Sequence, residues 1–504
     1  LEETLSQLKF FSAPLALVGS GVVFVAFALS VGTARASTSL GFLGNDARSS
    51  SMGGGSVAVG RGPSLLLRNP SLMSFSKNGI WFGFDAAGNN LRIDVEPRGE
   101  AFLVPEGMDL TDPEGWEGQQ PQPSERLAGD NRGTSKVRSS FLVHLAAIES
   151  FDVPGLRVGL GLSIPLPNLV GFGAWYNDER EQFFSNKLHF ERVGQWDEIF
   201  SIYPAISYSP LDWFSFGVAL KVGLAMSLDV GMYVSSVNNL ETPAIAPQGE
   251  VTPAVQPILG MAFRTPIGLQ FGLTYTHESY VDIALDVDVQ IADVAAPSKD
   301  PEAPAQPGDP FQQSHRFVLG YEPIAIAAAA GYEKGPWSAE VVATLELWSR
   351  YLDKHGNDWF GGFYDPTFRN VVSVKGGLEW QAVDWFAVRG GFAYLPSPMP
   401  MLTGRYNYVD NDVFRPSLGA GLSLPVGDKL LTADLSLALL ILRGMQVHKN
   451  PDSLVDEVPD NVLDSYTSKR WEPGQGFQTN NPGWPGFEFS GVVFHAGVTL
   501  GLVY

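Results

Sequence analysis

The chain contains no cysteine in 504 residues. That removes thiolate nucleophiles, thiolate metal sites and disulfides together. Basic residues are scarce as well: 33 Lys and Arg against 54 Asp and Glu leave a net charge of −21. Nucleic-acid binding needs a basic footprint, so that class is excluded. Long apolar runs are nearly absent. One segment, 13–32, is apolar enough to cross a bilayer as a helix. Lys9 precedes it and Ala34-Arg35-Ala36 follows it, which reads as a secretory signal cleaved before Ser37. Residues 1–36 are therefore expected to be a signal peptide, with an uncleaved anchor helix as the alternative. If the mature chain crosses a membrane, it must do so with strands closed into a barrel.

What the chain has in abundance is alternation. In 491–504, Val492, Phe494, Ala496, Val498, Leu500, Leu502 and Tyr504 share one face, and Val493, His495, Gly497, Thr499, Gly501 and Val503 the other. A period of two with an unbroken apolar face is a strand lying against something greasy. The pattern recurs over 79–96, 137–148, 155–166, 198–209, 213–230, 254–264, 268–291, 315–332, 337–350, 370–381, 385–396, 413–424, 428–441 and 489–504, which gives about fourteen strands. Connections after even-numbered strands are tight and carry Gly, Pro, Asp or Ser. Those after odd-numbered strands are mostly long, as at 97–136, 167–197, 292–314 and 442–488. Short turns alternating with long loops point to a bacterial outer-membrane barrel: all-β, transmembrane and antiparallel, with long extracellular loops. A mean hydropathy of +0.02 fits a wall in which only alternate residues see lipid.

The phase of each strand assigns its faces. Arg157, Lys221, Glu340, Lys375, Glu379, Arg389 and Asp434 fall on inward phases, while Val341, Val374 and Leu435 fall on outward ones. An ionised side chain facing lipid at mid-bilayer costs on the order of 2–4 kcal/mol, so the charges are expected in the lumen. Trp213, Trp337 and Trp385 each follow a tight turn, as an interfacial aromatic belt would. Trp337 fits best, because Trp213 and Trp385 lie on the inward phase of their strands.

Several segments then stand in order along this strand map. They are Ala47-Arg48, Met52-Gly53-Gly54-Gly55-Ser56-Val57-Ala58-Val59 and Arg68-Asn69-Pro70-Ser71-Leu72, followed by Val158 to Pro165 and Ile202 to Tyr208. Later come Trp337, Leu347-Trp348-Ser349, Arg389 to Tyr394 with Ser397-Pro398-Met399-Pro400, and the aromatic carboxyl terminus. Together they resemble the FadL-type family of outer-membrane transporters for long-chain fatty acids and other hydrophobic compounds. The resemblance implies a barrel over 79–504 closed by an amino-terminal hatch over 37–78, without a cofactor. It also implies substrate capture outside and lateral escape at a kink in the third strand. Ser71 stands where the family usually has Ala.

Each candidate site has a plainer reading beside it. Asn69, Pro70 and Ser71 are expected in the hatch, although Asn-Pro also makes an ordinary turn. Pro165 cannot donate to a ladder and could loosen the third strand for a gate, or simply end it; Gly159 and Gly161 could carry the kink instead. Arg157, Lys221, Lys375 and Arg389 could meet a ligand carboxylate, or could pair internally with Glu340, Glu346, Glu379 and Asp434. Asp410-Asn411-Asp412 and the acidic run from Asp452 to Asp464 could hold calcium, but neither has EF-hand spacing and solvated loop is the simpler reading. The histidines form no metal motif and no catalytic constellation is evident, so no metal, no cofactor and no enzyme activity are expected. The expectation is passive transport of hydrophobic small molecules by a monomer in the outer membrane of a Gram-negative-type bacterium. Its partners would be a hydrophobic ligand such as a long-chain fatty acid and the membrane lipid. The alternative is a barrel with a scaffolding, adhesive or secretion-partner role carried by its long loops.

Overall fold

A computed structural model describes residues 46–96, 132–134, 138–151, 153–166, 188–190, 192, 200–234, 244–291, 311–351, 368–400, 403, 408–450, 483 and 485–504. The expected signal peptide lies outside them. The wall is built from β1 (Gly79–Val95), β2 (Arg138–Glu149), β3 (Leu156–Pro165), β4 (Ser201–Leu211), β5 (Phe214–Val234) and β6 (Ala244–Arg264). Two interrupted strands follow: β7 (Leu269–Thr276, resuming at Ser279–Ile291) and β8 (Phe311–Glu322, resuming at Ala325–Lys334). The rest are β9 (Trp337–Glu346), β10 (Val371–Val383), β11 (Phe386–Leu395), β12 (Val413–Val426), β13 (Lys429–His448) and β14 (Gly486–Val503). Each pairs antiparallel with the next. β14 returns to β1 from Gly79↔Val503 to Val95↔Phe487 and closes the barrel.

Closure leaves β1 and β14 without a free edge, which is the condition for backbone to stand in hydrocarbon. The side chains follow the same condition. On β9, Trp337, Val341 and Leu345 are exposed, while Ser338, Glu340, Val342 and Thr344 are buried. Val374 and Leu435 are likewise exposed on the outer face. Among the described residues no helix is long and apolar enough to cross a membrane.

The tight turns lie at one end, where Gly268, Gly335 and Gly427 take positive φ. Trp213 and Trp385 sit in two of these turns, 52% and 54% exposed, beside Trp337 and Trp380, which stack on each other. Strand phase does not bind a residue in the turn itself. All these rings therefore join the outer belt, including the two that phase alone would have placed inside.

Toward the loop end the sheet is rewired. β6 pairs with β7 only over Ile258–Arg264 and Gln270–Thr276. Beyond that, Leu285–Ile291 of β7 runs parallel to Leu228–Val234 of β5. The branch point is stitched by His277 N donating to Pro257 O (3.0 Å) and Gln256 Nε2 donating to His277 O (2.8 Å).

Residues 46–78 lie inside the barrel. Helix α1 (Ala47–Ser51) rests on β11–β14, helix α2 (Ser64–Arg68) reaches β3–β5, and a 3-10 turn (Pro70–Phe75) rests on β3–β6. The segment thus crosses the lumen near the turn end. Above it the lumen is filled by an apolar cluster that includes Leu91, Leu142, Leu188, Phe190, Trp348, Phe368, Val409, Leu440, Phe487 and Phe489.

Candidate functional site

The inner segment is held by charge at three places. Asp46 caps α1 by accepting from Ser49 N (2.6 Å), and its other oxygen accepts from Ser64 N (2.9 Å), so one carboxylate fixes both helices. Arg48 donates to both oxygens of Glu379 (2.9 and 3.1 Å). Arg389 donates to the same Glu379 (2.5 Å) and to Asp434 (2.6 Å). All four side chains are largely buried, and the chain of alternating charge leaves no member uncompensated.

The third anchor is Glu340. Its Oε2 accepts from Ser56 N at 2.6 Å. Its Oε1 accepts from Val57, Ala58 and Val59 N at 2.8, 2.5 and 3.1 Å. Ser56 takes a left-handed φ of 77°, which costs a non-glycine residue about 1–2 kcal/mol. Hydrogen bonds to a charged acceptor contribute about 1.5–3 kcal/mol each, enough to offset that cost. Val57, Ala58 and Val59 pack on Ala327, Ala329 and Val342 of the wall. Gly377 and Gly391 give the segment room, because a Cβ on either would sit within 2.5 Å of Met52 or Gly53 backbone.

Asn69 is fully buried. Its Nδ2 donates to Val57 O (2.6 Å) and Met261 O (3.1 Å), and its Oδ1 accepts from Ser71 N (3.2 Å) and Ser71 Oγ (2.6 Å). Pro70 opens the 3-10 turn. The hydroxyl that distinguishes Ser71 from Ala thus closes this turn, and Ser71 O accepts from Ser215 Oγ (3.0 Å). The Asn-Pro-Ser segment faces β5 and β6, near Gly217 and Gly260, rather than the third strand. It is Leu66 and Met73 that reach β3, where a Cβ on Gly159 would meet them at 2.3 and 2.8 Å and one on Gly161 would meet Leu66 at 2.9 Å.

The third strand itself is paired on both sides over Val158–Ser163. Its ladder with β2 runs from Glu149↔Val158 to Leu142↔Pro165, and with β4 from Leu156↔Tyr208 to Ser163↔Ser201. Pro165 is its last residue. Beyond it the chain returns to the lumen at Leu188–Phe190, where His189–Phe190 pairs in parallel with Tyr408–Val409. Arg192 then donates to Asp410 (2.8 Å) and Asn411 O (3.2 Å), and Ser397 Oγ also donates to Asp410 (2.6 Å). Burial pushes the Asp410 carboxyl up, against the opposing pull of Arg192 and Ser397. Asp412 takes Ser397 N and Tyr394 Oη. These carboxylates are engaged by protein, and no metal-binding group of three occurs among the described residues. The run from Asp452 to Asp464 lies outside them.

The four candidate cations separate. Arg389 is committed to the ion chain, and Lys221 pairs with Glu322 (2.5 Å). Arg157 is half-buried and its Nη1 donates to its neighbour Leu156 O (3.1 Å). Lys375 makes no hydrogen bond or ion pair among the described residues. The charges that act on it are Arg68, Glu346, Arg415 and Glu340. Glu346 is engaged by Trp348 Nε1 (2.9 Å) and Ser373 Oγ (3.1 Å), and Glu340 by the inner segment. Lys375 and Arg415 both sit opposite Ala393, one same-face step from Leu395 and Val413 and two from Val371 of the apolar cluster. Two basic side chains, Lys375 and Arg415, therefore adjoin the apolar cluster.

Sequence reasoning missed two features. Neither the Glu340–amide contact nor the Asp85 cluster is local. His495 Nε2 lies 2.9 Å and His144 Nδ1 3.2 Å from the Asp85 carboxylate, all three buried on β14, β2 and β1. The inward phase of each residue was readable; the closure register that joins them was not.

No family model matches the chain, and no curated protein does. Among solved structures, a FadL homologue from Pseudomonas aeruginosa superposes with a TM-score of 0.53 at 13% identity, covering 93% of this chain and 98% of that one. The chain has the fold of a FadL homologue. The toluene transporter TodX from Pseudomonas putida (TM-score 0.46, 12% identity, 92% and 99% covered) and the toluene transporter TbuX from Ralstonia pickettii (0.46, 10%, 92% and 99%) match less well. The FadL-type barrel implied by the motif order is the architecture present.

Proposed function

We propose that this chain is a passive outer-membrane transporter of hydrophobic small molecules, with long-chain fatty acids as the substrate class. The observation that carries the reading is the junction of the apolar cluster with Lys375 and Arg415. An amphiphile with one anionic end and a long apolar tail matches that junction: the tail exchanges for apolar side chains, and the head meets an uncommitted ammonium group. The inner segment acts as the hatch beneath it. Release is lateral near β3, where Leu66 and Met73 cover Gly159 and Gly161 and where Pro165 ends the ladder. A gap in the wall must present its freed backbone groups to protein or water, so the gate opens only as the hatch moves.

The test is uptake of a labelled long-chain fatty acid by a Gram-negative host lacking its own fatty-acid channel. The chain should restore uptake, and a disulfide engineered between residue 66 or 73 and β3 should block it until reduced. With no native cysteine, the cross-link is unambiguous. Unchanged uptake with the cross-link complete would refute release at this seam.

A further inference from the structure

One carboxylate holds the arch of residues 56–59. Four consecutive amides converge on Glu340, at 2.6, 2.8, 2.5 and 3.1 Å. Consecutive backbone N–H groups that point into one concavity make an anion site. Glu340 has no ion-pair partner among the described residues, so backbone amides alone satisfy it. Their geometry is shaped around the anion: Ser56 is left-handed, and a Cβ on Gly55 would lie 2.2 Å from Glu340 Oε2. Two weaker ties remain besides the apolar packing: Asn69 Nδ2 donates to Val57 O and Ser64 Oγ to Ser56 Oγ. Lys375 is register partner to Val342, two residues from Glu340 on the same strand, and lies within the field of Glu340.

We propose that the amides of residues 56–59 form a carboxylate-binding site whose resident occupant is Glu340, and that a carboxylate amphiphile captured at Lys375 displaces Glu340 and so unlatches the arch. The second half rests on the transport reading above; the first does not. The exchange is balanced. The amides keep a carboxylate, and the displaced Glu340 is left beside Lys375, which has no other committed partner.

The experiment is hydrogen exchange of the peptide spanning 56–59 in the full barrel in detergent. In Glu340→Ala, exchange should rise at least about tenfold, formate should restore protection by filling the vacated space, and formamide should not. Heat-modifiable gel mobility reports whether the barrel is folded. Should Glu340→Ala fail to fold, Glu340→Gln carries the test: it keeps the shape and one acceptor, so exchange should rise less, and formate should do nothing. Unchanged exchange in a folded variant, or a rise in Glu340→Ala that formate does not reverse, overturns the site. In the wild type, octanoate should leave this peptide protected but lengthen the distance between spin labels at exposed residues 61, beside the arch, and 341, on the outer face of the wall, and octanol should not. An equal response to both, or none to octanoate despite its binding, overturns displacement. Failure of the transport reading would show differently, as no octanoate binding at all.

Discussion

The two ends of the lumen are filled by opposite chemistry. At the turn end the filling is directional: Arg48, Glu379, Arg389 and Asp434 form one ion chain, and Glu340 holds four amides. At the loop end it is mainly non-directional: Phe190, Leu440, Phe487 and Phe489 exclude water, beside the single Arg192–Asp410 pair described above. Hydrogen-bonded charges specify one arrangement and resist small shifts. Apolar contacts depend on area, so a hydrophobic guest can replace a side chain at little loss. The difference assigns the roles. On the transport reading proposed above, the loop end accepts the ligand and the turn end is the part that must be triggered.

Breaking the turn end should produce the largest effect. Arg389→Met removes the cation shared by Glu379 and Asp434 and leaves buried charge behind, so equilibrium unfolding by urea in lipid vesicles should show a loss of about 3–5 kcal/mol. The outer wall offers a control outside the comparison. Val341→Arg, at a site 59% exposed, should cost about 2–4 kcal/mol in the same assay, because the charge would face lipid. The loop end should yield less sharply: Leu440→Ala opens a cavity and should cost about 2–3 kcal/mol without ligand, with part of that recovered when a hydrophobic ligand fills the space. The boundary should be quietest. Lys375→Gln should change stability by less than about 1 kcal/mol, because Lys375 makes no ion pair among the described residues. Binding of a fatty carboxylate should weaken about tenfold by fluorescence titration, with binding of the matching alcohol unchanged.

Much of the wall was legible because its rules are local. Alternation placed Val341 outside and Glu340 inside, and Gly and Pro marked the turns. The failures share a cause: they depend on residues far apart in the chain. Arg389 could not be separated from Lys375 as a ligand contact, because the partner that commits it to the inner segment, through Glu379 to Arg48, lies hundreds of residues away. Which residues of the inner segment meet the third strand was not legible either: Leu66 and Met73 reach it rather than Asn69, since a 3-10 turn redirects the chain at Pro70. The parallel pairing of β7 with β5 has no signal in alternation, which reads a strand's faces but not its neighbours. Trp213 and Trp385 fit the belt less well than Trp337 by strand phase, but a residue in the turn escapes the phase of the strand it precedes.

The central claim is that an amphiphile inserts its tail into the loop-end apolar cluster with its carboxylate down at Lys375. A crystal structure with a long-chain fatty acid brominated at its far end tests it most directly. The account predicts an anomalous bromine peak among Phe190, Val409 and Phe487, with the carboxylate in hydrogen-bond reach of Lys375. A bromine found only against the outer wall, or a carboxylate bound away from Lys375 in the loops, would contradict it.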